Sequence, residues 1–233
     1  MDNHVDLSCF TDVLCVWAYV SEIRLDELRE KLGDKVRISY HFITVFGCTE
    51  RRIGEGWKDR RGYEGFADHV TEVGREFPHV QIHANVWRAT RPRTSASAHL
   101  FLKAVQLLEQ DKEIPAGIQT DFKNRSLFEE LLWRTRTAFF RDGLDIGRLP
   151  VLYDLADDMQ LPVDHIRSLV DDGTAFGALC CDNELREKFR LDGSPSYLLN
   201  NGRQKLYGNI GYRILQANIE ELLQRPQGMA SWC

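Results

Sequence analysis

Apolar and polar residues alternate near the start of the chain, and the spacing then becomes helical. Residues 5–9 have the period of a strand with one buried face. Residues 16–32 have the spacing of an amphipathic helix, and Gly33 lies where a C-terminal cap falls. Alternation returns over residues 36–42. The pattern predicts a β-α-β unit, whose crossover connection makes its two strands parallel.

Helical spacing dominates the middle of the chain. Residues 49–93 have no sustained period, and one helix is predicted there, around residues 63–77. Five amphipathic helices follow, each with its own N-terminal signal: Ser95, the capping box at Ser126, Pro150, Pro162 and Thr174. The sequence therefore predicts a helical lobe after the β-α-β unit.

Strand character returns near the end of the chain. Residues 196–200 and 203–207 flank Asn201-Gly202, a strong signal for a hairpin. A last amphipathic helix is predicted over residues 214–223. The order is thus β-α-β, a helical insertion, and β-β-α, which places the chain in the α/β class.

Composition and charge exclude several classes of function. The 233 residues are 43% hydrophobic, enough for a substantial core, and the formal charge of −5 comes without a long basic run. Nucleic acid is therefore not an expected partner. The polar start and the absence of long apolar stretches predict no membrane association and a cytoplasmic location. Six cysteines form no even framework, and we expect most to be reduced.

Cys15 stands where the first strand passes into the first helix. Unpaired backbone N–H groups and the positive end of the helix dipole at such a position favour the thiolate, which is the nucleophilic form of the side chain. Cys15 is therefore the predicted catalytic residue, with a raised thiolate fraction. The alternative is that Cys15 is a small apolar residue packed in a strand-to-helix turn.

Several separate motifs along the chain resemble those of one protein family. They occur in the family's order and span nearly the whole chain: residues 12–17 (DVLCVW), 98–100 (AHL), 139–147 (FFRDGLDIG), 193–196 (GSPS) and 207–208 (YG). This set resembles the DsbA-like family of the thioredoxin superfamily. The resemblance is to the branch of FrnE-type oxidoreductases, 2-hydroxychromene-2-carboxylate isomerases and kappa-class glutathione transferases.

The resemblance implies a thioredoxin-like domain formed by residues 1–48 and 190–233, with a helical insertion at 49–189. It matches Cys15 to the nucleophile and Trp17 to the residue inside the redox motif. It makes Pro195 a cis-proline facing the thiol. The peptide before this proline, at Ser194, is then an edge on which a substrate pairs as an extra strand. Asn209 completes the predicted substrate contacts.

The chain departs from both functional branches of this family. Dithiol oxidoreductases have a second cysteine where this chain has Ala18, so no disulfide can form within the motif. Glutathione-dependent members usually have serine at the position of Cys15. They also tend to carry Ser-Asp where Gly208 is followed by Asn209 and Ile210, so the carboxylate that holds the glutamyl ammonium is missing.

Other candidate residues have weaker signals. Cys48 follows the second strand and is a candidate resolving thiol, although a packing role is more common there. His99 is a candidate for the cleft between the two lobes, or else a satisfied, half-buried histidine. His79 and His83 lack a third ligand, so no metal site is predicted.

The sequence thus predicts a DsbA-family thiol-disulfide oxidoreductase that uses the single nucleophile Cys15. The expected partner is a small-molecule thiol or disulfide, or a protein thiol. No cofactor is expected to bind tightly, and glutathione is a candidate co-substrate. A glutathione-dependent isomerase or transferase and a non-catalytic binding module are the alternatives. The oligomeric state stays open, with a homodimer as one option.

Overall fold

The structure, a computed structural model, describes residues 4–224. Cys233 and the rest of residues 225–233 lie outside the described part. The helices and strands are β1 (Val5–Thr11), α1 (Val16–Leu32), β2 (Val36–Phe42), α2 (Gly62–Glu76), α3 (Ala96–Gln110), α4 (Leu127–Phe140), α5 (Leu149–Asp158), α6 (Val163–Asp171), α7 (Thr174–Phe189), β3 (Ser196–Leu199), β4 (Gln204–Tyr207) and α8 (Tyr212–Gln224).

The four strands form one mixed sheet in the order β2-β1-β3-β4. β1 and β2 are parallel, with Val5 opposite Val36, as the crossover through α1 requires. β3 is antiparallel to both β1 and β4. The β3–β4 hairpin predicted at Asn201-Gly202 is therefore present, although its connection is four residues long. Asn200, Asn201 and Gly202 all have positive φ, the conformation that favours these residue types.

The helical insertion follows β2 and returns to β3. The five helices predicted from Ser95 onward are all present as α3–α7, and the predicted helix at 63–77 is α2. A π-helical segment at Glu50–Glu55 was not predicted, because residues 49–93 have no helical period. The exact division into two domains stays a prediction. No helix within residues 4–224 is long and apolar enough to cross a membrane.

A network of buried charges joins α1 to α4. Arg136, which is 1% exposed, contacts Glu22 and also donates a hydrogen bond of 2.6 Å to Thr11 Oγ1 at the end of β1. Tyr40 of β2 donates to Glu22 Oε1 at 3.0 Å. Arg29 donates to Glu129 Oε1 at 2.6 Å. These bonds position the first helix, whose N-terminal end carries Cys15, against the insertion.

Candidate active site

Cys15 is the residue immediately before helix α1. Its backbone is extended, with φ −83° and ψ 114°, and its carbonyl accepts hydrogen bonds from the N–H groups of Ala18 and Tyr19, both at 3.1 Å. The strand β1 ends at Thr11, and residues 12–14 form a tight connection to Cys15. A hydrogen bond from Cys15 N–H to Asp12 O closes this connection. The predicted position at the strand-to-helix junction is confirmed.

The peptide bond between Ser194 and Pro195 is cis, and it faces Cys15. The Cys15 thiol donates a hydrogen bond to the Ser194 carbonyl, with 3.1 Å between Sγ and O. The Ser194 hydroxyl accepts from Asp12 N–H at 2.9 Å, and Gly208 N–H donates to the Pro195 carbonyl at 2.8 Å. Cys15 and Ser194, which are 179 positions apart in the sequence, are therefore in contact through the thiol.

The expectation of a raised thiolate fraction at Cys15 is wrong in this structure. Cys15 is only 6% exposed, and this burial raises the pKa of its thiol above the usual value. The Ala18 N–H and the Ser194 side chain act in the opposite direction and lower the pKa, whereas the nearby Asp12 raises it further. The local benefit of the helix N-terminus is thus outweighed by loss of solvent, and the resting thiol is protonated.

Asp12 is the site residue whose role sequence reasoning missed. It is fully buried, and its carboxylate accepts hydrogen bonds from Leu14 N–H at 2.9 Å, Phe46 N–H at 2.8 Å and the Ser95 hydroxyl at 2.8 Å. Ser95 was predicted to cap α3, but its hydroxyl bonds to Asp12 instead of the helix. An acidic residue among the apolar residues that precede Cys15 was the available signal. Asp12 ties together the β1 end, the segment after β2 and the start of α3.

The Asp12 carboxyl has no ion-pairing cation among the residues that the structure describes. Burial raises its pKa from 3.8 to about 6, and the hydrogen bonds from Phe46, Leu14 and Ser95 only partly offset this increase. The group therefore changes charge close to neutral pH, next to the thiol that it influences.

His99 lies beneath the site and is fully buried. Its Nε2 accepts a hydrogen bond from Val13 N–H at 3.2 Å, and its ring stacks on Phe42 with centroids 5.1 Å apart. Nε2 is 3.7 Å from Asp12 Oδ1, but burial, with Arg136 and Lys103 nearby, lowers the pKa of His99 to about 3. His99 is thus a neutral residue of the interior. Of the two alternatives from the sequence, it does not line an open cleft, and it is more deeply buried than the half-buried alternative.

The remaining predicted residues lie around the site or near it. Trp17 is half-buried, with its ring centroid 6.4 Å from that of Phe77. Asn209, after Gly208, accepts a hydrogen bond from Arg24 of α1 at 2.5 Å. Cys48 is exposed on the segment after β2, and its role as a resolving thiol stays a prediction. No group of three His, Cys, Asp or Glu residues within 4–224 is arranged to hold a metal ion.

Solved structures with the same fold are similar to nearly the whole chain, whereas no protein-family model and no curated protein matches it. A protein from Nitrosomonas europaea assigned as a protein disulfide isomerase has 14% identity and a TM-score of 0.72, covering 97% of this chain and 100% of that one. A 2-hydroxychromene-2-carboxylate isomerase has 12% identity and a TM-score of 0.64, covering 97% and 100%. The cytosolic disulfide reductase DsbM from Pseudomonas aeruginosa, solved with glutathione, has 15% identity and a TM-score of 0.62, covering 92% and 99%.

These similarities and the sheet order define the class of the fold. The chain has the DsbA-like thioredoxin fold with an inserted helical lobe, as the sequence motifs predicted. The structural neighbours include disulfide oxidoreductases and an isomerase, so they do not specify one reaction.

Proposed function

We propose that this protein is a thiol-disulfide oxidoreductase that uses Cys15 as its only nucleophile at the active site. The observation that carries the proposal is the 3.1 Å contact between Cys15 Sγ and the carbonyl that precedes the cis-proline. It joins the thiol before the first helix to the peptide group before β3, and in thioredoxin-like folds a substrate pairs with this peptide group as an added extended segment.

The reaction begins when the Cys15 thiol loses its proton. The thiolate attacks one sulfur of the substrate disulfide, the old S–S bond breaks, a mixed disulfide forms on Cys15, and the other half leaves as a thiolate. Ala18 provides no second sulfur. An external thiolate therefore attacks the Cys15 sulfur of the mixed disulfide, which releases the remaining half of the substrate as a thiol and leaves the external thiol bonded to Cys15. A second external thiolate attacks that bound external sulfur, which frees Cys15 and forms the disulfide of the two external thiols. Glutathione is our candidate for this thiol, and the cytoplasm is our proposed location.

Burial of Cys15 supports a second candidate function. A thiol that is 6% exposed with a raised pKa is also what a non-catalytic binding module with this fold would contain. The glutathione-dependent isomerase or transferase stays as a third candidate, supported by the similarity to 2-hydroxychromene-2-carboxylate isomerase. In that case Cys15 would orient the glutathione thiol.

The substitution Ala18→Cys separates these functions. Ala18 is buried in the first turn of α1, and its N–H bonds to the Cys15 carbonyl, so a sulfur introduced there lies beside Cys15. It can attack a mixed disulfide intramolecularly, at a high effective concentration. In a single turnover with prereduced protein, we expect the wild type to reduce little insulin unless a monothiol is added. Prereduced Ala18→Cys should reduce about one insulin disulfide per protein without added thiol and end as a disulfide between Cys15 and the introduced cysteine.

Two controls complete the insulin experiment. Cys15→Ser in either background should abolish the activity, whereas Cys48→Ser should leave it unchanged. Rapid insulin reduction by the wild type without added thiol, with Cys48→Ser equally active, would contradict the monothiol mechanism. If Cys15 forms no mixed disulfide at any pH up to 9, the binding module is the better interpretation.

A further inference from the structure

Arg24 lies on helix α1 and has no acidic partner within residues 4–224. The other arginines that contact the buried face of α1 pair with carboxylates, as Arg29 does with Glu129 and Arg136 with Glu22. Arg24 is half-buried, and its polar contact is the neutral amide oxygen of Asn209. Among residues 4–224 no carboxylate forms an ion pair with it. Partial burial lowers the pKa of Arg24, since the cation has lost solvent without gaining an opposite charge.

Two sets of contacts connect Arg24 to the neighbourhood of the thiol. Trp17 and Arg24 are seven residues apart, so they share one face of α1 about 10 Å apart along the axis. Phe77 bridges them, with its ring 6.4 Å from the Trp17 ring and 5.9 Å from the Arg24 guanidinium carbon. On the other side, Arg24 reaches Asn209, and the neighbouring Gly208 bonds to Pro195 opposite Cys15.

These contacts have the thiol at one end and, at the other, a cation with no carboxylate partner among residues 4–224. The aromatic rings of Trp17 and Phe77, which lie between the two, suit the apolar stem of a ligand. Cys15 and Arg24 are nine residues apart, about 13.5 Å of helical rise, and an extended peptide that spans about 3.3–3.6 Å per residue covers this distance with about four residues. A guanidinium that already bonds to one neutral oxygen keeps further N–H donors for a planar carboxylate.

We propose that Arg24, held by Asn209 and Phe77, binds a free carboxylate of the thiol or disulfide that reacts at Cys15. The substrate class is then a carboxylate-bearing thiol or disulfide of short-peptide size. This inference rests on the proposed function, because it concerns the substrate of the same site. Arg24 determines specificity and takes no part in the exchange of sulfur bonds.

The test compares glutathione disulfide with its tetraethyl ester, which has the same leaving thiol but no free carboxylates. The rate of mixed-disulfide formation at Cys15 is measured by mass spectrometry. We expect the wild type to prefer the free acid by about tenfold, the factor that one hydrogen bond to a charged group supplies at the low end of its range. Arg24→Gln should lose this preference, and Arg24→Lys should keep part of it. The preference should also decrease at high salt.

Arg37→Gln is the matched control, because Arg37 is exposed on the opposite edge strand β2 and should leave the preference unchanged. An equal preference in the wild type and Arg24→Gln would overturn the assignment, as would a wild type with no preference. Binding of S-methylglutathione and its diethyl ester to Cys15→Ser, measured by calorimetry, tests the anion site without chemistry. Tighter binding of the free acid that depends on Arg24 supports the site even if Cys15 proves unreactive, which would refute the proposed function alone.

Discussion

Two acidic side chains, Asp12 just after β1 and Glu22 within α1, are almost equally buried, yet their pKa values are shifted in opposite directions. Asp12 is 0% exposed and Glu22 is 1% exposed. Burial by itself acts to raise the pKa of both carboxyls. For Glu22, Arg136 and Arg29 outweigh burial and hold its pKa below the usual value. For Asp12 only hydrogen bonds oppose burial, and its pKa rises to about 6.

The difference separates a structural region from a reactive one. Around Glu22 the charges are paired, so protonation changes there only in acid. Around Asp12 the charge is uncompensated, so the carboxyl changes state near neutral pH, beside the Cys15 thiol. Variants that alter one acid without the other therefore test the difference between the two regions.

The largest effect is expected from Arg136→Met. The substitution leaves Glu22 buried without its main partner, which costs about 3–5 kcal/mol in the free energy of unfolding. Urea unfolding at pH 7 measures this loss. Arg213→Met, at an exposed position on α8, is the control and should change stability little. A loss below about 1 kcal/mol for Arg136→Met would show that the pair is not stabilising, contrary to its burial.

The next effect concerns the pH dependence of stability at Asp12. A carboxyl whose pKa is higher in the folded state binds its proton more tightly there, so its contribution to stability is present at low pH. That contribution is lost as pH rises from 3.8 to about 6, and amounts to about 3 kcal/mol.

Asp12→Asn removes this titration. Relative to the wild type, the variant should gain about 3 kcal/mol between pH 4 and pH 7, on top of a constant offset from its altered hydrogen bonds. Chemical unfolding at several pH values measures the difference. Parallel stability curves for the two proteins would show that Asp12 does not titrate in this range.

A smaller effect is expected from Ser95→Ala, which removes the hydroxyl donor to Asp12. A hydrogen bond to a charged group contributes about 1.5 kcal/mol, so the loss should be near this value at pH 7 and smaller at pH 5, where the carboxyl is protonated. The pKa of Asp12 should rise further. Ser39→Ala on exposed β2 serves as the control. An equal loss at both pH values would contradict the bond to an ionised carboxylate.

The smallest effect concerns the rate at which Cys15 is alkylated. Because burial raises the pKa of the thiol, Cys15 should react with iodoacetamide more slowly at pH 7 than the exposed Cys48. Asp12→Asn removes a nearby negative charge, so the rate at Cys15 should increase by a few-fold while Cys48 stays unchanged. Peptide mass mapping measures both rates. Faster labelling of Cys15 than of Cys48 in the wild type would contradict the burial argument.

The strands and most helices were predictable because each follows a period that depends on local sequence alone. Cys15 was predictable as a junction residue for the same reason, and Pro195 came from its resemblance to a family motif. The pKa of the Cys15 thiol was not predictable. The helix N-terminus is visible in sequence, but the solvent-excluding neighbours include Ser194, which is 179 residues away.

The role of Asp12 and the state of His99 were hidden for a related reason. The groups that bond to the Asp12 side chain include Phe46 and Ser95, which are 34 and 83 residues away. His99 looks polar in sequence, but the buried Phe42 ring and Val13 N–H surround it in the fold. Hydrogen bonds between polar residues that are far apart in the sequence produce no periodic pattern in it.

The distance in sequence between Cys15 and Ser194 has a consequence for synthesis of the protein. A ribosome that adds about 5–20 residues per second needs roughly 10–40 s to translate the 179 intervening positions. During that interval the nascent chain contains the Cys15 thiol but not the segment that covers it. The thiol is therefore more open to oxidants and electrophiles while the chain is being made than at any time after the fold is complete.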